Sequence, residues 1–188
     1  MTKIKSYLRN QCLTSIYYSL LYPCLIYGCL LWGNNYNNPL SQLIRLQNKA
    51  VRIMKDIPLW DHITPHYLHL GLLKFRDIVK TYNCLFLYDY VSDNKPCSFP
   101  LFLVSEQHDY FTRTASAQQL HIPHSRINIR NFCPTVIGKY YWNDLPLSIR
   151  NKSSKILLKK TLKKYYLAQY WRVCVFVCVC VRACTFVF

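Results

Sequence analysis

Residues 40–55 read LSQLIRLQNKAVRIMK, and this stretch decides the fold class. Its apolar residues recur at the i, i+3, i+4, i+7 spacing of an amphipathic helix. Three cations, Arg45, Lys49 and Arg52, stand at i, i+4 and i+7 and therefore share the opposite face. The pattern predicts a helix over 40–55 with one buried face and one basic stripe. The face predicted to be buried comprises Leu40, Leu43, Ile44, Gln47, Ala50, Val51 and Met54.

The same periodicity predicts helices on both sides of this stretch. An apolar helical unit covers about 2–32 and ends in the turn-forming sequence GNNYNNP at 33–39. A second amphipathic pattern runs over about 74–91, and a short one covers 135–143. Residues 92–133 lack periodicity and contain scattered prolines, so we expect a loop with short extended pieces there.

The last predicted helix carries the densest positive charge in the chain. It begins after Ser153 or Ser154, either of which can cap a helix N-terminus, and it ends near Gln169. Cations next to aromatic residues can neutralise phosphates and stack bases, whereas a lysine-rich face can also be an ordinary solvated surface. We expect this face, and the basic stripe of Arg45, Lys49 and Arg52, to contact nucleic acid. The cations of the last helix are Lys155, Lys159, Lys160, Lys163 and Lys164, and the aromatic residues that follow them in the sequence are Tyr165, Tyr166, Tyr170 and Trp171. The residues predicted to face inward are Leu158, Leu162, Tyr165 and Tyr166.

The composition is that of a basic globular domain. The 188 residues include 24 Lys and Arg against 8 Asp and Glu, a formal net charge of +16, and 52% are hydrophobic. This apolar content excludes a disordered basic tail, and the charge favours a polyanionic partner. The ten cysteines form no CxxC pair, and no signal-peptide cleavage site follows the first apolar stretch. We therefore expect free thiols and an intracellular protein of the cytoplasm or nucleus, not a secreted one.

Residues 10–44 contain no charged side chain, and 12–32 is long enough for a transmembrane helix. Hydroxyl residues, four tyrosines and Pro23 within 12–32 favour instead a core helix kinked at Pro23. A membrane-associated protein that uses 12–32 as its hydrophobic segment is the alternative prediction.

The C-terminal residues 173–188 read VCVFVCVCVRACTFVF and differ from the rest of the chain. A repeating GT dinucleotide encodes both residues of this alternation, because GTG specifies Val and TGT specifies Cys. We interpret the segment as a translated dinucleotide repeat with high β propensity and a tendency to aggregate. A metal site formed by its four cysteines is the alternative, although their spacing is not that of a zinc motif.

The sequence contains no constellation of side chains typical of an enzyme. Its few carboxylates form no DxD, DD or ExxH pair, and neither a phosphate-binding glycine loop nor a GxSxG motif is present. His62 and His66 at i and i+4, with His69, are the best metal candidates, but Pro65 disturbs their common helix face. We predict no catalytic residue, no metal site and no cofactor.

Five short motifs in chain order resemble the reverse transcriptases of non-LTR, LINE-type (jockey-like) retrotransposons. The matches are "YxSLxxPxLxYGxxxWG" at 17–33, "LQxKAxRI" at 46–53, "HxYxTR" at 108–113, "GxxxWNxLPxxIR" at 138–150 and "FKKxLK" at 158–163, where Leu158 replaces the usual Phe. The resemblance implies the thumb and the segment C-terminal to it, which in this family help to hold the template–primer duplex. The catalytic palm with its "YxDD" carboxylates would precede residue 1.

The resemblance therefore implies a mostly α-helical, non-catalytic fragment of an RNA-directed DNA polymerase that at most binds an RNA/DNA duplex without sequence specificity. Its expected divisions are a helical thumb-like region at 1–92, an irregular connecting segment at 93–133, a basic helical region at 134–170 and a low-complexity read-through tail at 171–188. A pseudogene product without function is a further alternative.

Overall fold

The protein is mostly helical, as the sequence predicts. The computed structural model describes residues 8, 10–92 and 119–184, with 173–184 as backbone only, and this part of the chain contains no β-strand. Most of the predicted irregular segment, including the motif at 108–113, lies outside it. The helices are α1 (Asn10–Ile16), α2 (Tyr22–Ile26), α3 (Cys29–Trp32), α4 (Asn37–Lys55), α5 (Thr64–Leu70), α6 (Phe75–Val91), α7 (Asn128–Asn131), α8 (Pro134–Asn143), α9 (Leu147–Arg150) and α10 (Lys155–Cys184), with a π-helical turn at Tyr17–Leu21.

The chain forms two compact units, each assembled from separate stretches of sequence. Unit 1 comprises Met1–Tyr27, Tyr36–Ile78 and Lys163–Phe188, and unit 2 comprises Gly28–Asn35 and Val79–Leu162. The long helices α6 and α10 therefore contribute residues to both units. The division of the chain predicted at residues 92, 133 and 170 stays a prediction.

The first apolar segment is interrupted, which corrects the prediction of one helix kinked at Pro23. The π-helical turn precedes α2, and the helix ends where Tyr27 becomes extended and Gly28 adopts a φ of 60°. Glycine reaches this left-handed conformation without steric cost. Leu20 and Leu31 are exposed, so the segment buries only part of its apolar surface. Within the described residues, no helix combines the length and the apolar character needed to cross a membrane.

Unit 1 is organised around Gln47, a residue of α4 that is only 1% exposed. Its Nε2 donates hydrogen bonds to the Tyr17 hydroxyl at 3.0 Å and to the Leu73 carbonyl at 2.9 Å. Its Oε1 accepts a hydrogen bond from the backbone N–H of Phe75 at 2.8 Å. Because a buried amide is costly without partners, these bonds fix α4 against the π-helical turn and the start of α6.

The buried face predicted for α4 is confirmed. Leu43 and Ile44 are half-buried, and the other predicted positions are buried. The helix begins at Asn37, earlier than predicted, because Pro39 lies in the first turn, where a missing N–H breaks no helical hydrogen bond. The apolar cluster of unit 1 contains Leu13, Tyr17, Ala50, Val51, Met54, Tyr67, Leu72 and Tyr170.

Unit 2 is organised around two buried asparagines. Asn34 follows α3 and Asn83 lies on α6, and each donates from Nδ2 to the Oδ1 of the other, at 3.2 and 2.9 Å. Both amides also donate to helix carbonyls, of Leu30 and Val79 respectively. A Cβ at Gly33 would lie 2.7 Å from Val79 Cγ2, so only glycine permits this close approach.

The predicted helix at 135–143 is present as α8, and its last residue fixes the extended chain before α7. Asn143 accepts the N–H of Leu120 at Oδ1 and donates from Nδ2 to the carbonyl of Leu120, both at 2.9 Å. Trp142, Leu145 and Ile149 are buried. In this structure the motif at 138–150 therefore supplies packing residues and a backbone anchor.

The C-terminal helix is longer than predicted. The sequence predicts an end near Gln169 and high β propensity after it, but α10 continues to Cys184. An established helix needs to fix only one further residue for each hydrogen bond that it adds, so it can extend through residues of modest helix propensity.

Candidate nucleic-acid interface

The first turns of α10 separate an apolar face from a basic one. The Ser154 carbonyl accepts the N–H of Leu158 at 2.9 Å, which places Ser154 at the start of the helix. Leu158 and Leu162 are fully buried, and Tyr166 is also buried. The five predicted lysines lie outside this face and are exposed. The amphipathic arrangement is thus the one that the sequence predicts.

Two of the five lysines of α10 make contacts within unit 2. Lys155 Nζ lies 2.5 Å from Asp89 Oδ2, and their side chains are 52% and 11% exposed. Lys159 Nζ lies 5.4 Å from the centre of the Tyr82 ring, in a cation–π arrangement. Both lysines line a groove of about 390 Å³ together with mainly apolar side chains of α6 and α10. Lys155 chiefly compensates the charge of a nearly buried carboxylate.

The other three lysines of α10 are exposed and form no ion pair within the described part of the chain. Lys160, Lys163 and Lys164 stand at i, i+3 and i+4, so they are neighbours on the helix surface. Ammonium groups on neighbouring helix positions can contact consecutive phosphates of a nucleic-acid backbone. We call these three residues the α10 lysine patch.

The basic stripe of α4 is divided in the same way. Arg45 and Lys49 are exposed, as predicted. The guanidinium of Arg52 donates instead to the carbonyl oxygens of Pro58 and Asp61, the latter at 2.9 Å. Arg52 therefore holds the turn between α4 and α5, and only two cations of the predicted stripe point their charge to solvent.

The three histidines proposed as the best metal candidates do not assemble into a ligand set. His66 Nε2 lies 3.2 Å from Asp61 Oδ2, and the backbone N–H of His62 donates to Asp61 Oδ1 at 2.7 Å. These two hydrogen bonds, that of His66 first, lower the pKa of the Asp61 carboxyl. Across the described residues, no group of three potential metal ligands is present.

Two of the four aromatic residues near the lysines of α10 belong to the core, and Tyr165 is half-buried. Tyr166 and Tyr170 are buried. The Tyr170 hydroxyl accepts the N–H of Lys74 at 2.9 Å and donates to the Asp77 carboxylate. Burial, followed by the charge of Asp77, raises the pKa of Tyr170. Of this aromatic group, Trp171 is the exposed member.

Two cations outside α4 and α10 are buried and therefore do not contribute to the basic surface. Lys139 on α8 and Arg150 on α9 are buried, and desolvation lowers the pKa of both. Both residues lie in the basic region that the sequence predicts at 134–170. Arg150 ends a helix of one turn and directly follows the buried Ile149, which is the sequence signal that it lies close to the core.

The cysteines that the structure describes with side chains form no disulfide bond, namely Cys12, Cys24, Cys29, Cys84 and Cys133. Cys29 is buried, and desolvation raises the pKa of its thiol to about 11. A thiol with such a pKa is almost entirely protonated at neutral pH and is a poor nucleophile. Its role in unit 2 is that of a small apolar core residue.

Comparison of the chain with protein-family models, with curated proteins and with solved structures finds no match.

Proposed function

We propose that this chain binds nucleic acid without sequence specificity, as a thumb-like, non-catalytic part of a non-LTR reverse transcriptase. The observation that carries the proposal is the α10 lysine patch, which presents three exposed ammonium groups on one helix face. Ammonium groups facing phosphates carry no information about base sequence, so binding depends on salt and not on sequence. The five motifs in chain order support the choice of family, and the mostly helical fold is compatible with a thumb.

Removal of the patch tests the binding. In the triple variant Lys160→Gln, Lys163→Gln, Lys164→Gln, glutamine keeps the helix propensity and removes the charge. For the parent, the slope of log K against log salt on an RNA/DNA hybrid should be near −2 to −3, because each phosphate contact contributes about 0.7–0.9. The triple variant should lose most of this slope and bind more weakly.

A matched control separates a local site from net charge. The triple variant Arg126→Gln, Arg130→Gln, Lys152→Gln also removes three positive charges. These residues belong to unit 2 and lie outside α4 and α10. This control variant should bind like the parent. Equal losses in the two triple variants would assign the effect to overall charge, and a patch variant with the parental affinity and slope would refute the proposal.

The family proposal has a separate test. The sequence lacks paired carboxylates for two-metal chemistry, so the purified chain should extend no primer on an RNA template with Mg²⁺ and dNTPs. Primer extension by a homogeneous preparation would contradict the non-catalytic assignment. A reading frame that encodes a "YxDD" palm in the DNA immediately upstream of the Met1 codon would support the family.

A further inference from the structure

The turn between α4 and α5 carries two adjacent, highly exposed apolar side chains. Leu59 is 84% exposed and Trp60 is 89% exposed, and both belong to unit 1. A single exposed apolar residue is ordinary in a folded protein. Leu59 and Trp60 are the two central residues of the turn that the Asp61 N–H closes on the Pro58 carbonyl at 3.4 Å, so this turn exposes two large apolar side chains to a ligand.

Hydrogen bonds hold the two ends of this turn, whereas the side chains of Leu59 and Trp60 between them are exposed. Arg52 donates to the carbonyl oxygens of Pro58 and Asp61. The Asp61 carboxylate in turn pairs with His66 of α5 and accepts the backbone N–H of His62. A turn that is held in this way presents Trp60 in a defined position, so a ligand need not order it on binding.

Cations flank the turn on α4. Lys49 and Lys55 are each three residues from Arg52, so both are its neighbours on the helix surface, one on either side. Both lysines are exposed. Two carboxylates follow α4 in the chain. Asp61 accepts the backbone N–H of His62 and lies beside the His66 ring, and Asp56 makes contacts of its own. Because Arg52 contacts the turn, the exposed indole and the two ammonium groups beside Arg52 belong to one region of unit 1 and together complement a ligand that has an aromatic face and adjacent phosphates.

We propose that Trp60 is a stacking platform for an unpaired base of single-stranded nucleic acid, with the neighbouring phosphates on Lys49 and Lys55. The inference rests on the proposed nucleic-acid binding and extends it from the phosphate backbone to a base. Every base has a π face, so such stacking is tolerant of sequence. Paired bases inside a duplex are covered by their neighbours, so the ligand is a single-stranded end or overhang.

The test compares two probes of equal charge. One is a short oligothymidylate, and the other is an abasic strand with the same number of phosphates, each titrated at the same salt concentration with the full chain. Trp60→Ala should weaken oligothymidylate binding about fivefold or more, since stacking on an aromatic side chain contributes at least that factor per base. Trp60→Phe should recover most of the affinity. Binding of the abasic strand should not change in either variant.

Two controls complete the experiment. Tyr140→Ala removes an exposed aromatic residue from unit 2 and should leave both affinities unchanged. Because the Trp60 side chain is almost fully exposed, its variants should keep the parental thermal unfolding midpoint.

Three results would overturn the platform. These are an unchanged affinity of Trp60→Ala for oligothymidylate, equal losses on both probes, or, when vesicles that contain an anionic phospholipid are titrated as a third probe, a loss of affinity that appears only with the vesicles. In the first case, salt-dependent hybrid binding that still requires the α10 lysine patch would leave the proposed function intact. A parent that binds none of the nucleic-acid probes would overturn both proposals.

Discussion

The two basic helices α4 and α10 are similar on their outer faces and different on their inner ones. The buried face of α4 centres on an amide, Gln47, with hydrogen bonds to the Tyr17 hydroxyl and to two backbone groups. The N-terminal part of α10 buries the purely apolar Leu158 and Leu162. Directional bonds fix α4 in one register, whereas apolar burial on α10 tolerates repacking of similar volume.

The outer faces show a common rule. Arg52 on α4 and Lys155 on α10 form polar contacts within their own units, whereas Arg45, Lys49 and the α10 lysine patch are exposed. Equal charges in one helical stripe can thus have different roles, and each cation must be tested separately. The following predictions separate the two inner faces first and then the two classes of cation.

The largest difference should appear when methionine replaces one buried residue on each helix. Gln47→Met should lower the free energy of unfolding by about 2–4 kcal/mol, because two buried polar groups and one part-buried carbonyl lose their partner. Leu158→Met should cost less than about 1.5 kcal/mol, because it conserves apolar volume. Urea denaturation measures both values. Equal costs would show that the hydrogen bonds of Gln47 do not distinguish the two helices.

On α10, the engaged lysine should matter for stability and a free one should not. Lys155→Gln should lower the free energy of unfolding by about 1 kcal/mol, because Asp89 loses the ammonium group beside its nearly buried carboxylate. Lys160→Gln should stay within about 0.5 kcal/mol of the parent. Thermal or urea unfolding measures both changes in stability. A larger loss of stability for Lys160→Gln than for Lys155→Gln would contradict the stabilising role given to Lys155.

On α4, the same contrast should be smaller because the turn is at the surface. Arg52→Gln should cost about 0.5–1 kcal/mol through the loss of hydrogen bonds to two carbonyls. It should also increase proteolytic cleavage near Trp60. Arg45→Gln is the matched control and should change neither quantity. Cleavage at the parental rate in Arg52→Gln would mean that Arg52 does not hold the turn.

The smallest effect should be a pH dependence of the same turn. The hydrogen bonds from His66 and His62 lower the pKa of Asp61 below its usual value, so the ionised carboxylate favours the folded state. This contribution is complete above the unfolded-state pKa, about 3.9, and is lost as the pH falls through the lower folded-state pKa. Asp61→Asn should therefore be less stable than the parent near about pH 6, and the difference should vanish in strong acid. A constant difference across this range would exclude Asp61 as its source.

Sequence periodicity predicted those helices whose apolar residues lie on a single buried face. It predicted α6 and α8 to within about a residue, as well as the buried face of α4 and the outward lysines of α10, since these features depend on a period of 3.6 residues. It failed at Gly28, where a left-handed residue ends a run that is apolar throughout. It also failed after Gln169, where α10 continues through residues that favour strands.

The candidate site shows the same limit at the level of single side chains. Arg45, Lys49 and Arg52 have one charge each and a common spacing, so the sequence gives no reason to treat them differently. Arg52 differs because the chain returns after α4 and brings two carbonyl groups within its reach. In the sequence, Trp60 is only an aromatic residue in a short loop that follows a basic helix. Its exposure depends on how the chain folds back after α4.

The sequence alone determined the helical class, the amphipathic faces, the net charge of +16 and the absence of paired carboxylates, because each follows from residue type and short-range spacing. Tertiary structure decided which polar residues are buried and which cations stay free. Gln47, Asn34 and Asn83 find their partners in segments distant along the chain. Such pairings depend on how the chain returns on itself, which a local pattern does not encode.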